Sequence, residues 1–238
     1  MSVPRTARER VHQEVSAEIL TVARSHLARD GGAGLSLRSI ARELEMAPSA
    51  LYRYYDGRDA LLSALILSAY GALADTAEVA SAAAFDRPGA DTERFGAVPR
   101  AMRTWALAHP QEWSLIFGTP VPGYQAPEAT VVPYARLAGA LVRPMVEATH
   151  AGRLRLVDQR LTGPGSGDEA LRAAVAPVAD ALFPDAATAT TVVSVQAWAT
   201  LIGVISLEIF GHWRNTILDP ALFFDETVRN LASTVGLA

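Results

Sequence analysis

Tyr52, Arg53 and Tyr54 stand side by side in the chain, and Ser49 and Ala50 precede them closely. Two phenols and a guanidinium concentrated at one place are hydrogen-bond donors. The acceptor they suit is a phosphate ester, which with sugar takes most hydrogen bonds between proteins and DNA. Small Ser49 and Ala50 would let the backbone approach base edges closely. Arg58 opens what reads as the next helix, where the positive end of the helix dipole would help it meet a phosphate. Other chemistries find little support. There is no cysteine, which excludes disulfides, thiolate metal ligands and cysteine nucleophiles. His12, His26, His109, His150 and His212 form no HxxxH or HExxH arrangement, so no metal site is expected. No GxSxG elbow occurs. Glu208 and His212 lie one helical turn apart and could pair, as a structural hydrogen bond rather than an acid–base couple. No catalytic residue and no cofactor are expected.

The elements that must position the donors lie between Leu35 and Tyr55. Leu37, Ile40, Ala41 and Leu44 recur at helical spacing and define one buried face, and Ser36 before them suits an N-cap. Pro48 suits the first turn of a second helix, where its missing N–H has no partner in any case. That helix is expected to run on through Tyr55, with Leu51 and Tyr55 on its inner side. The pattern is a helix-turn-helix, although an ordinary helical hairpin satisfies the same spacing.

The remaining periodicity is helical throughout. A helix is expected from about Glu9 to Arg29, closed by Asp30-Gly31-Gly32-Ala33-Gly34. No strand precedes these glycines, so they read as a helix stop rather than a phosphate loop. Residues 1–8, bearing Arg5 and Arg8, read as an arm without the apolar run of a signal peptide; contact with phosphates or the minor groove and simple fraying suit it equally. Further helices are expected over about 58–84, 92–108, 110–117, 130–151, 168–183, 186–213 and 221–235, with Pro144 kinking its helix. Residues 118–129 and 162–168 are loops by their Pro and Gly content. The glycines of the latter miss the GxxxxGK[ST] pattern.

The chain has 238 residues, half of them hydrophobic and 19% charged, enough for a substantial core. Its formal charge of −4 runs against a nucleic-acid partner. The charge is uneven, however: residues 1–60 hold nine arginines against eight acids, leaving twelve against seventeen elsewhere. Phosphate neutralisation would therefore rest on a local cluster, doubled in a dimer. From Ala186 to Leu207 no residue is charged, a length that could span a bilayer. The Ala, Thr and Ser content, Gln196 and the lack of flanking basic residues argue instead for a helix buried between its own domain and a partner subunit.

On the residues quoted, the stretch resembles the DNA-binding motif of TetR-family transcriptional regulators. Ile40-Ala41, Leu51-Tyr52-Arg53-Tyr54-Tyr55 and Arg58-Asp59-Ala60-Leu61 carry the likeness, which covers roughly the first 65 residues. Two positions depart: Glu45 stands where the family usually has Gly, and Ala47 where it often has Ser or Thr. A non-glycine residue in a left-handed turn costs on the order of 1 kcal/mol. A second stretch, from Ala108 to Tyr124, together with Trp198 and the run Ser206 to His212, is similar to the WHG subgroup of the same family, with Ile202 in place of its His.

The resemblance implies an all-α protein: an N-terminal three-helix helix-turn-helix DNA-binding domain over residues 1–57, and a larger α-helical effector-binding and dimerisation domain over 58–238. It implies a cytoplasmic homodimer on a palindromic double-stranded operator, no membrane, and release by a small apolar or aromatic effector. On the DNA side, Ser36, Arg38, Pro48, Ser49 and Ala50 are expected near base edges, with Tyr52, Arg53, Tyr54 and Arg58 holding phosphates. The pocket candidates are Trp105, Trp113, Phe117, Tyr124, Trp198 and Phe210, each also a plausible core residue. The rival readings are an all-helical enzyme acting on a small apolar substrate in that pocket, and a membrane-anchored helical protein.

Overall fold

The computed structural model describes residues 6–118, 120–155, 168–183 and 188–237. Among the described residues there are ten α-helices, two short 3-10 turns and no strand. The all-α expectation holds. The helices are α1 (Ala7–Asp30), α2 (Leu37–Glu43), α3 (Pro48–Leu51), α4 (Arg58–Phe85), α5 (Asp91–Ala108), α6 (Pro110–Phe117), α7 (Val131–His150), α8 (Asp168–Leu182), α9 (Thr188–Ile209) and α10 (Pro220–Thr234).

The chain folds as two compact units, Met1–Gly71 with His109–Val131, and Ala72–Ala108 with Val132–Ala238. The division falls inside α4 and assigns α6 and the loop after it to the first unit. The boundary expected after residue 57 is thus not where the compact units part.

In the first unit, α1 begins at a capping box. The Thr6 hydroxyl accepts the Glu9 N–H at 3.2 Å, and the Glu9 carboxylate accepts the Thr6 N–H at 2.8 Å. This draws Arg8 into the first helical turn, so the expected arm is shorter than residues 1–8; Arg5 lies outside the described residues. Ile19 and Ala23 of α1, Leu37, Ile40 and Ala41 of α2, Leu51 of α3, and Leu61, Leu62, Leu65 and Ile66 of α4 form one buried cluster. The i, i+3, i+4 spacing read from the sequence is the face that enters it. Buried His26 ties α1 to α2 through a 2.8 Å contact of its Nε2 with Glu43.

In the second unit, α9 packs on α5, α8 and α10, and α10 packs on α5. Phe95, Met102, Phe224, Leu201 and Ile205 are among its buried residues. Polar clamps surround this core. Arg103 meets Glu208 in a bidentate pair at 2.7 and 2.5 Å, while its guanidinium lies 5.4 Å from the centre of the Phe224 ring. Glu208 therefore has Arg103, not His212, as its partner; His212 is exposed. Asp91 accepts hydrogen bonds from Arg153 at 2.8 and 3.2 Å and from Arg94 at 3.3 Å. These bonds hold its carboxyl below the usual range, the Arg153 bond most strongly. α7 carries Pro144 inside it, buried. The expected loop over 162–168 lies, apart from the backbone of Asp168, outside the described residues.

Among the described residues two helices, α4 and α9, are long and apolar enough to cross a membrane. α4 sinks Leu61, Leu62, Leu65 and Ile66 into the first unit's core, and Leu73, Ala74 and Ala77 are buried further along. α9 buries Ala189, Val193, Ala197, Leu201 and Ile205 but leaves Val195, Gln196, Ala199, Thr200 and Leu207 exposed. It ends at Ile209 rather than at Trp213, because Gly211 adopts a left-handed φ of 77° and stops it.

Candidate nucleic-acid interface and ligand clefts

The reading head is built from α2, the turn after it, and α3. Ser36 caps α2 as expected, its hydroxyl accepting the Ser39 N–H at 3.4 Å. The turn is a Schellman closure. The Met46 N–H reaches the Ala41 carbonyl at 2.8 Å and the Glu45 N–H reaches Arg42 at 3.2 Å, which requires a left-handed residue at position 45. Glu45 accordingly has φ 52°, the strained geometry that the departure from Gly implied. The same pair of bonds closes α7, α9 and the C-terminal end of α10, and there the left-handed residue is Gly152, Gly211 and Gly236.

The second helix is shorter than expected. α3 is regular only over Pro48–Leu51, and Tyr52, Arg53 and Tyr54 continue as tight turns, with Arg53 N–H to Ala50 at 3.2 Å and Tyr54 N–H to Leu51 at 2.9 Å. Two local causes act together. Ala47 occupies the N-cap with no side-chain oxygen to accept an orphan N–H, and the three aromatic residues that follow are weak helix formers. Leu51 is wholly buried and anchors the segment.

The predicted DNA-side residues separate by exposure. Arg38, Pro48, Ser49, Tyr52 and Arg53 are exposed, while Ser36, Ala50, Tyr54 and Arg58 are half-buried. Tyr54 lies against His12 of α1, ring centres 4.6 Å apart. Arg58 is already engaged within the fold, because one terminal nitrogen donates to the Gly32 carbonyl at 2.8 Å and the other to Asp59 at 3.3 Å. Around the head, Arg24 bonds Ser68 at 2.7 Å and lies 3.6 Å from Glu112 of α6. Sequence reasoning missed this Arg24 tie, because residues so distant in the chain are brought together only by the packing of α6.

The six aromatic candidates are divided between the two units. Trp113, Phe117 and Tyr124 belong to the first unit; Trp105, Trp198 and Phe210 belong to the second. Trp113 is fully buried, with its ring centre 4.6 Å from that of Phe117. Tyr124 borders a cleft of about 260 Å³ with Ile66, Tyr70, Leu115, Ile116 and Val121. Its hydroxyl is hydrogen-bonded to that of Ser63 at 2.9 Å. In the second unit Trp105 is buried, Trp198 stacks edge-on with Tyr134 at 5.4 Å, and Phe210 is 45% exposed. A larger cleft there, about 540 Å³, is bordered by Glu78, Ser81, Arg136, Gly139, Arg143 and small aliphatic residues, and by none of the six aromatics. No group of three or more His, Asp or Glu with metal-site geometry occurs among the described residues.

An all-helical chain with a helix-turn-helix head and a second helical unit is the architecture of a one-component bacterial regulator. The comparisons agree. Residues 19–65 match the family described as bacterial regulatory proteins, tetR family, and residues 95–231 match the tetracyclin repressor-like C-terminal domain. The HTH-type transcriptional regulators Rv1816 of Mycobacterium tuberculosis and Mb1846 of Mycobacterium bovis are each 37% identical over 234 residues, 96% of this chain and 95% of theirs. The crystal structure of the regulatory protein SCO4313 superimposes with a TM-score of 0.76 at 33% identity, covering 97% of this chain and all of that one. A structure from Rhodococcus sp. RHA1 gives 0.64 at 28% identity over 94% and 95% of the two chains. The chain belongs to the TetR family of transcriptional regulators.

Proposed function

We propose that this regulator is a repressor that binds a palindromic operator as a homodimer in the cytoplasm and is released by a small-molecule effector. The observation that carries the DNA side is the head itself: Leu37, Ile40, Ala41 and Leu51 are buried, so Arg38, Pro48, Ser49, Tyr52 and Arg53 are left facing outward. Arg38, Ser49 and Pro48 approach base edges with Ser36 and Ala50 behind them; Tyr52 and Arg53 hold phosphates. Tyr54 and Arg58 play the same part with whatever donors their structural contacts leave. In function the chain divides into a reader, residues 1–57, and an effector and dimer domain, residues 58–238.

The dimer reading is supported by the uncovered side of α9. Val195, Ala199 and Leu207 are exposed there, and a Cβ added at Gly203 would meet nothing within 4 Å. A face mostly of small and apolar residues, with Gln196 and Thr200 exposed among them, suits a second copy of itself, related by a two-fold axis. Such an axis would pair two heads for two half-sites. Of the aromatic candidates, Tyr124 is favoured as an effector contact because it borders a cleft; the other five are proposed as walls of the same response or as core. The family and the named relatives are transcriptional regulators, which supports a protein that acts by binding rather than by catalysis.

The test is selection of random duplex DNA by the purified protein at two salt concentrations, with its mass in solution measured alongside. Enrichment of one palindrome by a dimer, with binding falling steeply as salt rises, is expected. A folded dimer that enriches no sequence at low salt, after refolding free of ligand, would overturn the reading. Arg53→Ala should weaken binding across all sequences and reduce the salt slope by about one.

A further inference from the structure

The 540 Å³ cleft of the second unit is walled by Glu78 and Ser81 of α4, by Arg136, Gly139, Ala140, Val142, Arg143 and Val146 of α7, and by Ala181 and Leu182 of α8. Its size is that of a small-ligand site. Three features of its walls have no account in folding alone. Ser81 is 4% exposed, yet its Oγ has no hydrogen-bond partner among the described residues. A buried hydroxyl left so is costly and calls for an explanation. Gly139 sits within α7, where glycine is unfavourable, but a Cβ there would meet nothing within 4 Å. No close backbone approach requires it; its effect is to leave the cleft open.

The third feature is Arg143. The two arginines of the wall differ in their commitments. Arg136 bonds Glu78 at 2.9 and 2.5 Å and Asp75 at 2.6 Å, a closed ion cluster at one end. Arg143 lies with its guanidinium 4.0 Å from the centre of the Phe85 ring. No carboxylate comes within 4 Å of it among the described residues, Glu147 one turn on included. Stacking occupies the face of a guanidinium and leaves its in-plane N–H groups free for an anion. The other wall residues are mostly Ala, Val and Leu.

We propose that this cleft binds a small amphiphile with a carboxylate head and an aliphatic body, the carboxylate taken by Arg143 and Ser81 and the chain lying over Gly139, Val142, Val146 and Leu182. This goes beyond the effector reading above, because the cleft is a different one from that which Tyr124 borders; it rests on that reading only for the consequence at DNA, and binding itself is independent. It also changes the expected effector chemistry, from apolar or aromatic to aliphatic and acidic.

The experiment is calorimetric titration of the full-length protein with decanoate and, separately, with decan-1-ol, both below their aggregation limits. Decanoate should bind at least about tenfold more tightly, the scale of one charge-assisted hydrogen bond. Arg143→Met, which keeps the stem, should bring decanoate to the affinity of the alcohol. Gly139→Leu should abolish binding of both while the melting temperature holds or rises, since a helix-favouring side chain enters open space. Equal binding of acid and alcohol, undiminished binding of decanoate to Arg143→Met, or intact binding to Gly139→Leu would each overturn the proposal, as would no binding of decanoate. DNA affinity of the ligand-free protein is measured apart, so failure here leaves the operator reading standing, and failure there leaves this site standing.

Discussion

Replacing Glu45 by glycine removes a strain that the fold imposes at the centre of the DNA-reading head. The Schellman closure of α2 demands a left-handed residue, and Glu45 supplies it at φ 52°. For an L-residue with a Cβ this conformation costs about 1–2 kcal/mol, whereas glycine loses about 0.5–1 kcal/mol of additional chain entropy on folding. The difference, about 0.5–1 kcal/mol in favour of Glu45→Gly, is not opposed by lost contacts. The Glu45 side chain is exposed and makes no hydrogen bond or ion pair among the described residues. The assay is native-state hydrogen exchange at the Met46 amide, whose bond to the Ala41 carbonyl the turn maintains. Where exchange proceeds by local opening, protection should rise about two- to fivefold. Glu45→Ala is the decisive control, because it removes the same charge and keeps the Cβ. It should leave protection at the parental value while raising DNA affinity as much as glycine does, through loss of one negative charge beside the phosphates. Equal protection in the two variants, or less protection in Glu45→Gly than in the parent, would refute the strain argument.

Other consequences are equally open to measurement. Ala47→Ser should supply the missing cap of α3 and stabilise the head by about 1 kcal/mol, extending protection into Tyr52 and Arg53; no gain would mean that the aromatic run alone shortens the helix. Asp91→Asn should lower stability by about 1 kcal/mol at neutral pH through the loss of the Arg153 and Arg94 bonds. Because the folded carboxyl is held below its ordinary value, that contribution is complete above the usual carboxylate range and disappears as pH falls through the depressed folded value. Denaturant titrations of both proteins from neutral to acid pH should therefore converge at the acid end, and a constant difference would exclude the linkage. Leu207→Glu, on the uncovered face of α9, should shift the protein from dimer to monomer in sedimentation without loss of helical signal; an unchanged dimer would place the interface elsewhere.

Much of this protein was legible in its residues because its signals are local. Helical periodicity placed the helices, Ser36 marked the start of α2, and the run Leu51 to Tyr55 with Ile40-Ala41 carried the family. Even the left-handed Glu45 was readable, since the turn after α2 leaves its second residue little choice of conformation. What escaped depends on partners distant in the chain. Glu208 has His212 within one turn, yet the packing of α5 on α9 presents Arg103 with a planar, bidentate fork that outcompetes it. Residues 109–131 lie in the same compact unit as the head, a grouping that spacing along the chain does not show, held there by Arg24, Tyr70 and Ser63 on other helices. The aromatic residues proposed for a pocket are divided between two units, and the 540 Å³ cleft is lined instead by Glu78, Ser81, two arginines and small aliphatic residues. Spacing along a helix specifies which side chains share a face; only the packing of faces from separate helices decides which of them meet, and whether space is left between them.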